Sequence, residues 1–488
     1  MIINLKEHLY LLSIVTAMLV TSACSRSELF KAELACSKGD GKACVTAANI
    51  YKNGEDSTGK KIVADLDKAR SFFIKACDNH EGSVCNEIGK ELSSPNRKDV
   101  DFVAATEFFE KGCNVNNYEA CTNLGVLYAG TNELRRNFDK SYQYFVKACS
   151  GQNARGCTLL GLMYEKGQGA VTNISKATSL YQRSCNNNDP QACVNLGLLY
   201  LQGSTGFVDN KKAFENFEKG CTLGNAQSCN NLANMYINGM GTNRDYKKAL
   251  TNFTKSCAKY DATGCANLGY MYQRGIGTNV NYEKANDYLS IGCNANNSLA
   301  CLNLGYSYKN GLGVEKNDDT YLEYAEKSCS LSNGEACSNL GIRAMGEGNE
   351  KAYKKAFKYF ELSCNFGYIK GCTNVGVLYQ NGQGVEQNFE KAISIYQKTC
   401  STNDFLACAN LGIMYTYGQG VKEDLKKAND LFTISCSGDS PLGCTLLGYA
   451  FKEGIGTKID LNKALEHFKK ACDLNDEEGC AMYKQLSK

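Results

Sequence analysis

The chain of 488 residues contains no tryptophan, three prolines and three histidines. So few prolines exclude a proline-rich linker or a polyproline segment. His8 lies in the N-terminal apolar segment, and His80 and His467 stand near opposite ends of the remaining chain, so the clustered imidazoles of a hydrolytic zinc site are missing. Net charge is almost absent. The 54 Lys+Arg against 51 Asp+Glu give +3, which argues against a dedicated nucleic-acid binder and against a polybasic membrane anchor. Beyond the first 24 residues no segment is apolar enough to span a bilayer. With 43% hydrophobic and 22% charged residues, the composition is globular rather than disordered.

Cysteine is the residue in excess, at 27. That many thiols point to an oxidising compartment. Twenty-six of them fall into thirteen pairs, each of the form C-x7-C: Cys36 with Cys44, Cys77 with Cys85, Cys113 with Cys121, Cys149 with Cys157, Cys185 with Cys193, Cys221 with Cys229, Cys257 with Cys265, Cys293 with Cys301, Cys329 with Cys337, Cys364 with Cys372, Cys400 with Cys408, Cys436 with Cys444 and Cys472 with Cys480. Successive pairs stand 36 residues apart, except for a first step of 41 and a step of 35 from Cys329 to Cys364. A constant period of this size means a solenoid, and it replaces the about three domains that the length alone suggests.

The odd cysteine, Cys24, follows a segment that reads as an export signal. Lys6 supplies a thin positive region, and Leu9 to Val20 is an apolar run too short to span a bilayer. Thr21-Ser22-Ala23-Cys24 resembles a bacterial lipobox, in which the cysteine is lipidated, although Thr21 stands where Leu is usual. Ordinary cleavage after Ala23 is the other reading. Cysteine parity favours lipidation. The expected organisation is a signal peptide at 1–23, an N-terminal anchor and half-helix cap at 24–35, the repeat array at 36–472 and a half-repeat cap at 473–488.

One unit shows the chemistry. In residues 229–257, Cys229, Leu232, Ala233 and Tyr236 form one helical stripe (helix A). Gly239-Met240-Gly241 stops it. Asp245 opens helix B, whose inner stripe is Ala249, Phe253 and Cys257. Counted from the helix A cysteine, position +3 is mostly Leu and +4 mostly Gly, as at Leu196-Gly197 and Leu411-Gly412. Glycine there costs about 1 kcal/mol relative to Ala, so its return implies close packing between helices. Tyr holds +7 in nine units and is expected in the core, its hydroxyl reaching a backbone group. Lys-Ala opens most B helices. The units near 91–102 and 343–353 lack the Gly-x-Gly loop, and Thr320-Tyr321 replaces Lys-Ala.

Together, the cysteine spacing, L-G-x-x-Y and G-x-G resemble the Sel1-like repeat and, within that family, the Helicobacter cysteine-rich protein group. The resemblance covers residues 28–484. It implies an all-α, right-handed superhelical solenoid of αα-hairpins similar to tetratricopeptide repeats, here about twelve hairpins with a half unit at each end. The first cysteine of each pair ends helix B and the second lies in the first turns of the next helix A, a placement that suits a disulfide between consecutive units near 5.5–6 Å Cα separation. A nine-residue loop gives about 2.5 kcal/mol per bond in the chain-entropy account. Structural zinc wants shorter spacing and four converging ligands, and no Cys-x-x-Cys redox motif occurs, so no metal or cofactor is expected.

The same resemblance raises β-lactam hydrolysis or capture, with a β-lactam or peptidoglycan-related ligand, and also a secreted factor acting on host cells. Ser57-Thr58-Gly59-Lys60 and Ser256-Cys257-Ala258-Lys259 match Ser-x-x-Lys, but no Lys-Thr-Gly or Lys-Ser-Gly follows, so both serines are expected on solvated surface and no catalytic residue is assigned. A binding surface is better marked. Asn stands at +2 in eight units: Asn123, Asn195, Asn231, Asn267, Asn303, Asn339, Asn374 and Asn410. Apolar and aromatic residues follow at +5, such as Val126, Tyr270, Ile342 and Tyr449, and polar ones at +9, such as Lys166 and Arg274. Helix A lines the concave face in related solenoids. An Asn ladder beside an apolar row would there hold the backbone of an extended peptide or protein segment. The alternative is that the Asn residues bond neighbouring units. The leading expectation is an exported, disulfide-stapled scaffold, periplasmic, lipid-anchored or secreted, with no nucleic-acid partner.

Overall fold

Capping side chains set where nearly every described helix begins; the helices Gly82–Leu92 and Ile369–Asn381, preceded by Glu81 and Tyr368, start without one. Four residues before the helix A cysteine stands Asp, Asn or Ser in nearly all units, and its side chain accepts a backbone N–H of the first turn: Asn153 from Gly156 at 2.8 Å, Asn297 from Ala300 at 2.9 Å. The B helices start the same way, Asp209 accepting from Lys212 at 3.0 Å and Asn281 from Lys284 at 2.9 Å. Replacing such a cap by Ala costs about 1 kcal/mol. Eight of the A helices end at a left-handed glycine, for example Gly239 with φ 68°, whose N–H returns to the Met235 carbonyl.

The computed structural model describes residues 27–94, 101–130 and 136–487; the expected signal peptide and Cys24 lie outside the described residues. The chain divides into two compact units, Met1–Arg244 and Asp245–Lys488. In the first, helix Glu28–Ser37 precedes five helical hairpins between 41 and 222, followed by helix Ala226–Asn238. In the second, helix Tyr246–Cys257 precedes six hairpins between 262 and 473, and helix Glu477–Leu486 comes last. Both units are all-α; a lone bridge between Glu55 and Lys61 is the one extended pairing among the described residues. No helix among them is long and apolar enough to cross a membrane.

Within a hairpin, an aromatic ring of helix B lies on the +4 glycine of helix A. Phe217 covers Gly197, Phe145 covers Gly125 and Tyr396 covers Gly376; a Cβ on these glycines would stand 2.5–2.6 Å from the ring. The recurrent glycine therefore admits a ring rather than a second backbone. Phe217 and Tyr396 are fully buried, as are the alanines of Lys-Ala, Ala213 and Ala392.

Thirteen disulfides join each B helix to the next A helix. Their second members are Cys44, Cys85, Cys121, Cys157, Cys193, Cys229, Cys265, Cys301, Cys337, Cys372, Cys408, Cys444 and Cys480, each the fourth residue of its helix A and each bonded to the cysteine eight residues before it. The Cα separations are 4.3–4.9 Å, a correction to the 5.5–6 Å expected from the sequence for every one of these pairs. Such a set persists in an oxidising, extracytoplasmic environment. The tightness comes from the turn. In all thirteen turns the residue five before the second cysteine has positive φ, from 58° at Tyr260 to 93° at Gly39. Asn holds this place in five turns, as at Asn188 and Asn296, because its short polar side chain tolerates the left-handed region.

The +7 tyrosine is not the core residue expected. Tyr236 and Tyr415 are buried, but Tyr128, Tyr164, Tyr200, Tyr272 and Tyr379 are half-buried. Its outer face carries the lysine of Lys-Ala: Lys176 lies 5.1 Å from the Tyr164 ring centroid, Lys391 5.0 Å from Tyr379 and Lys427 4.3 Å from Tyr415. In four hairpins a second ring from helix B stacks on it, Tyr51 with Phe72, Tyr128 with Tyr144, Tyr272 with Tyr288 and Tyr308 with Tyr324, at 5.7–5.8 Å. The hydroxyls reach side chains rather than backbone, as where Tyr51 donates to Glu33 at 2.7 Å.

Phe217→Ala removes a fully buried ring from over Gly197, and is expected to cost about 3–5 kcal/mol in denaturant unfolding of the oxidised protein. Tyr260→Asn relieves a bulky residue at φ 58° and is expected to gain up to about 1 kcal/mol; the same titration checks both.

Candidate functional site

The candidate surface is the outward face of the A helices, and each unit carries its own stretch of it. The eight ladder asparagines are all half-buried. In the first unit Asn123 donates to Asn86 Oδ1 of the preceding A helix at 2.8 Å and accepts from the Arg155 guanidinium of the following one at 3.3 Å. Asn195 accepts from Gln191 Nε2 at 3.0 Å and donates to the buried Tyr181 hydroxyl. The Asn231 Nδ2 is buried without a hydrogen-bond partner. In the second unit Asn339 donates to the Tyr306 hydroxyl at 2.6 Å, and Asn410 donates to that of Tyr396. Asn123 and Asn339 thus sit in seams between successive A helices, whereas Asn195 and Asn410 turn to the preceding B helix. Asn267, Asn303 and Asn374 occupy the same half-buried place in the second unit.

The +5 row stands further out. Val126, Tyr270 and Ile342 are exposed, Ile342 at 56%; Leu162, Leu198, Tyr306, Val377, Ile413 and Tyr449 are half-buried. At +9, Lys166, Asn238, Arg274 and Asn310 are exposed, and the Arg274 guanidinium lies 5.7 Å from the Tyr270 ring centroid. One further row was missed by reading the sequence. Two residues before the helix A cysteine, Leu299 and Leu406 are exposed at 57% and 43%, and Glu335 and Glu478 accept from Tyr306 and Tyr449 at 3.4 and 2.8 Å. The type varies along the repeats (Arg155, Gln191, Gln227, Thr263, Leu299, Glu335, Lys370, Leu406, Leu442), neighbouring repeats sharing it only at Gln191 and Gln227 and at Leu406 and Leu442 in this series. That variation at one register of an otherwise constant helix was the available signal.

Two phenols on this face are held protonated. Burial, then the Glu335 charge, pushes Tyr306 up to about 12, while donation from Asn339 opposes the shift. Burial and the hydrogen bond to Glu478 push Tyr449 up to about 12.

The Ser-x-x-Lys serines lie elsewhere and are not alike. Ser57 is exposed in a loop and donates to Glu28 Oε2 at 2.7 Å. Ser256, expected on solvated surface, is fully buried and donates to Asp261 Oδ2 at 2.9 Å. The residue before the first cysteine of a pair faces the seam of its hairpin, as where Ser328 donates to the Ser298 carbonyl at 2.8 Å and Ser363 to that of Gly334 at 2.7 Å. No group of three or more His, Cys, Asp or Glu among the described residues could hold a metal ion.

The raised Tyr306 pKa means that the folded state favours the neutral phenol. Its contribution to stability is complete below the ordinary tyrosine pKa near 10 and is lost as the pH rises towards 12. Unfolding measured between pH 9 and 12 is expected to fall less steeply with pH in Tyr306→Phe than in the wild type; an unchanged slope would mean that Tyr306 titrates normally.

No curated protein matches the chain. Among solved structures, a protective antigen present in uropathogenic Escherichia coli strains, with an SLR fold, is 21% identical, covers 95% of this chain and 97% of its own, and superposes with a TM-score of 0.61. A Sel1 repeat protein from Oxalobacter formigenes is 22% identical over 51% of this chain and 96% of its own, with a TM-score of 0.46. Helicobacter pylori cysteine rich protein B is 32% identical over 27% of this chain and 96% of its own, with a TM-score of 0.23. The Sel1 repeat matches eleven times, at 43–80, 119–153, 154–189, 190–225, 226–261, 262–297, 298–333, 334–367, 369–404, 406–440 and 441–476. The stretch between the first two matches holds one of the units without a Gly-x-Gly loop. The repeats span most of the chain, which belongs to the Sel1 repeat family.

Proposed function

We propose that the chain is an exported scaffold that holds an extended peptide or a protein segment against the outward face of its A helices. The carrying observation is the contrast between a constant frame and a variable, exposed register. Caps, staples and ring-on-glycine contacts repeat from hairpin to hairpin, whereas the position two before the helix A cysteine varies in chemistry along the array, and at Glu335 and Glu478 it meets the +5 ring of the preceding A helix. Stapled hairpins have little conformational freedom left to lose on binding, which favours affinity. Recognition of a partner needs such diversity at defined spacing.

The asparagine ladder has a place in this reading. A carboxamide offers two donors and two acceptor positions, and neighbouring helices use one or two of them at Asn123 and Asn339, while Gln191 of its own helix uses one at Asn195. The remaining capacity of the ladder is available to a peptide backbone. Export through the segment at 1–23, with Cys24 as a lipid anchor, would place the scaffold at the outer side of the cytoplasmic membrane, where its disulfides persist.

The test is selection of displayed random peptides on the oxidised protein, followed by affinity measurement on variants. Tyr270→Ala and Ile342→Ala truncate exposed side chains, so folding should be unaffected, and each is expected to weaken the selected peptides about tenfold, in the range of an interface anchor. Asn303→Ala and Asn374→Ala are expected to weaken them to a smaller degree. Peptides whose affinity ignores all four changes would place binding elsewhere.

A further inference from the structure

A different surface, in the first unit, departs from the repeat. After a helix A, the second glycine of the Gly-x-Gly loop normally tucks against the start of the preceding B helix: Gly169 lies on the backbone of Phe138, and Gly241 on that of Asn210, where no Cβ fits. In the loop after helix Pro190–Leu201 the equivalent position is Thr205. Its side chain has no room in that contact, and the loop stands away from helix Ile174–Asn186. A cleft of about 710 Å³ opens between them, within the range of small-molecule sites.

The walls of the cleft have a consistent chemistry. Ser175, Ser179 and Gln182 lie on one face of the helix at i, i+4 and i+7, and Ser204, Thr205 and Phe207 come from the loop. The hydroxyls of Ser175, Ser179, Ser204 and Thr205 bond no other described residue. The one charged side chain in the lining, Lys212, is engaged: its amine lies 5.2 Å from the Tyr200 ring centroid and 3.5 Å from Asp209. A carboxylate or phosphate ligand would have to compete with Asp209 for that amine. Phe207 is 67% exposed, so its ring is presented to whatever enters the cleft.

An exposed aromatic face beside uncharged hydroxyls and a carboxamide suits a ligand with one C–H face and many hydroxyls. We propose that this cleft binds a neutral oligosaccharide, with one sugar ring stacked on Phe207 and its hydroxyls bonded to Ser175, Ser179, Ser204 and Gln182. The site is distinct from the peptide face, because its lining comes from the loop and two B helices, with Tyr200 the one A-helix side chain in it and none of the ladder or +5 residues.

Saturation-transfer NMR on the full oxidised protein tests the assignment, with N-acetylchitotetraose and maltotetraose as neutral probes and trigalacturonate as a charged one. Transfer to a neutral probe is expected, with none to trigalacturonate. Phe207→Ala should weaken affinity at least tenfold. Thr205→Gly, which restores the tucked turn, should abolish binding. Tyr417→Ala, at an exposed aromatic in the other unit, should leave it unchanged. The proposal is overturned by absence of transfer to either neutral probe at millimolar concentration, by preference for trigalacturonate, or by binding that survives both Phe207→Ala and Thr205→Gly.

Discussion

One covalent bond between consecutive hairpins, covered by a ring of the hairpin that follows, is the constraint from which the other features derive. Tyr144 packs with Cys113 and Cys121, Phe72 with Cys36 and Cys44, and Tyr324 with Cys293 and Cys301. The same rings stack on the +7 aromatics Tyr128, Tyr51 and Tyr308, and a lysine of helix B closes the outer side of the first two. Sulfur, ring, ring and ammonium thus form a short series from the seam to the solvent. The bond sets the separation of the helices; the ring keeps water from the sulfurs; the lysine covers a ring that would otherwise face solvent, an arrangement that contributes about 0.5–1 kcal/mol at exposed sites. A hairpin alone could bury only one face, which is why repeats of this size need their neighbours.

Much of this was legible because cysteine spacing, glycine pairs and Lys-Ala recur at one period, and recurrence reports structure without knowledge of contacts. The helices, the Gly-x-Gly loops and the cysteine pairing follow from that. What was not legible depends on how neighbouring hairpins meet. Tyr128 and Tyr272 share the helical stripe of Leu124 and Leu268, yet they lie at its margin and are half-buried, because a B-helix ring and a lysine compete for the same space. Asn339 points away from the stripe of its own helix and is still drawn into a seam, because Tyr306 of the previous A helix offers a hydroxyl there. Ser256 looked like a surface serine beside a lysine; its register at the end of helix B buries it. A single helix's periodicity cannot report a seam made by three.

The division of labour between constant and variable positions carries the functional reading. Residues that maintain the frame are spent on capping, covering glycine or shielding sulfur. The variable register at two before the cysteine, the exposed members of the +5 row and the altered loop at 203–208 have no such duty. They are therefore where ligand chemistry can differ between members of the family without loss of fold.

Local pairing is also what makes oxidative folding tractable. Twenty-six cysteines admit on the order of 10¹³ pairings, and only a turn that forms early and holds both thiols close selects one of them. The most direct test is to reduce and unfold the protein, refold it under mild oxidation without an isomerase, and map the disulfides by non-reducing peptide analysis. The account predicts the thirteen C-x7-C bonds and no others, in refolded and exported protein alike. Stable bonds between cysteines of different pairs, in protein that has regained its helical content, would contradict it.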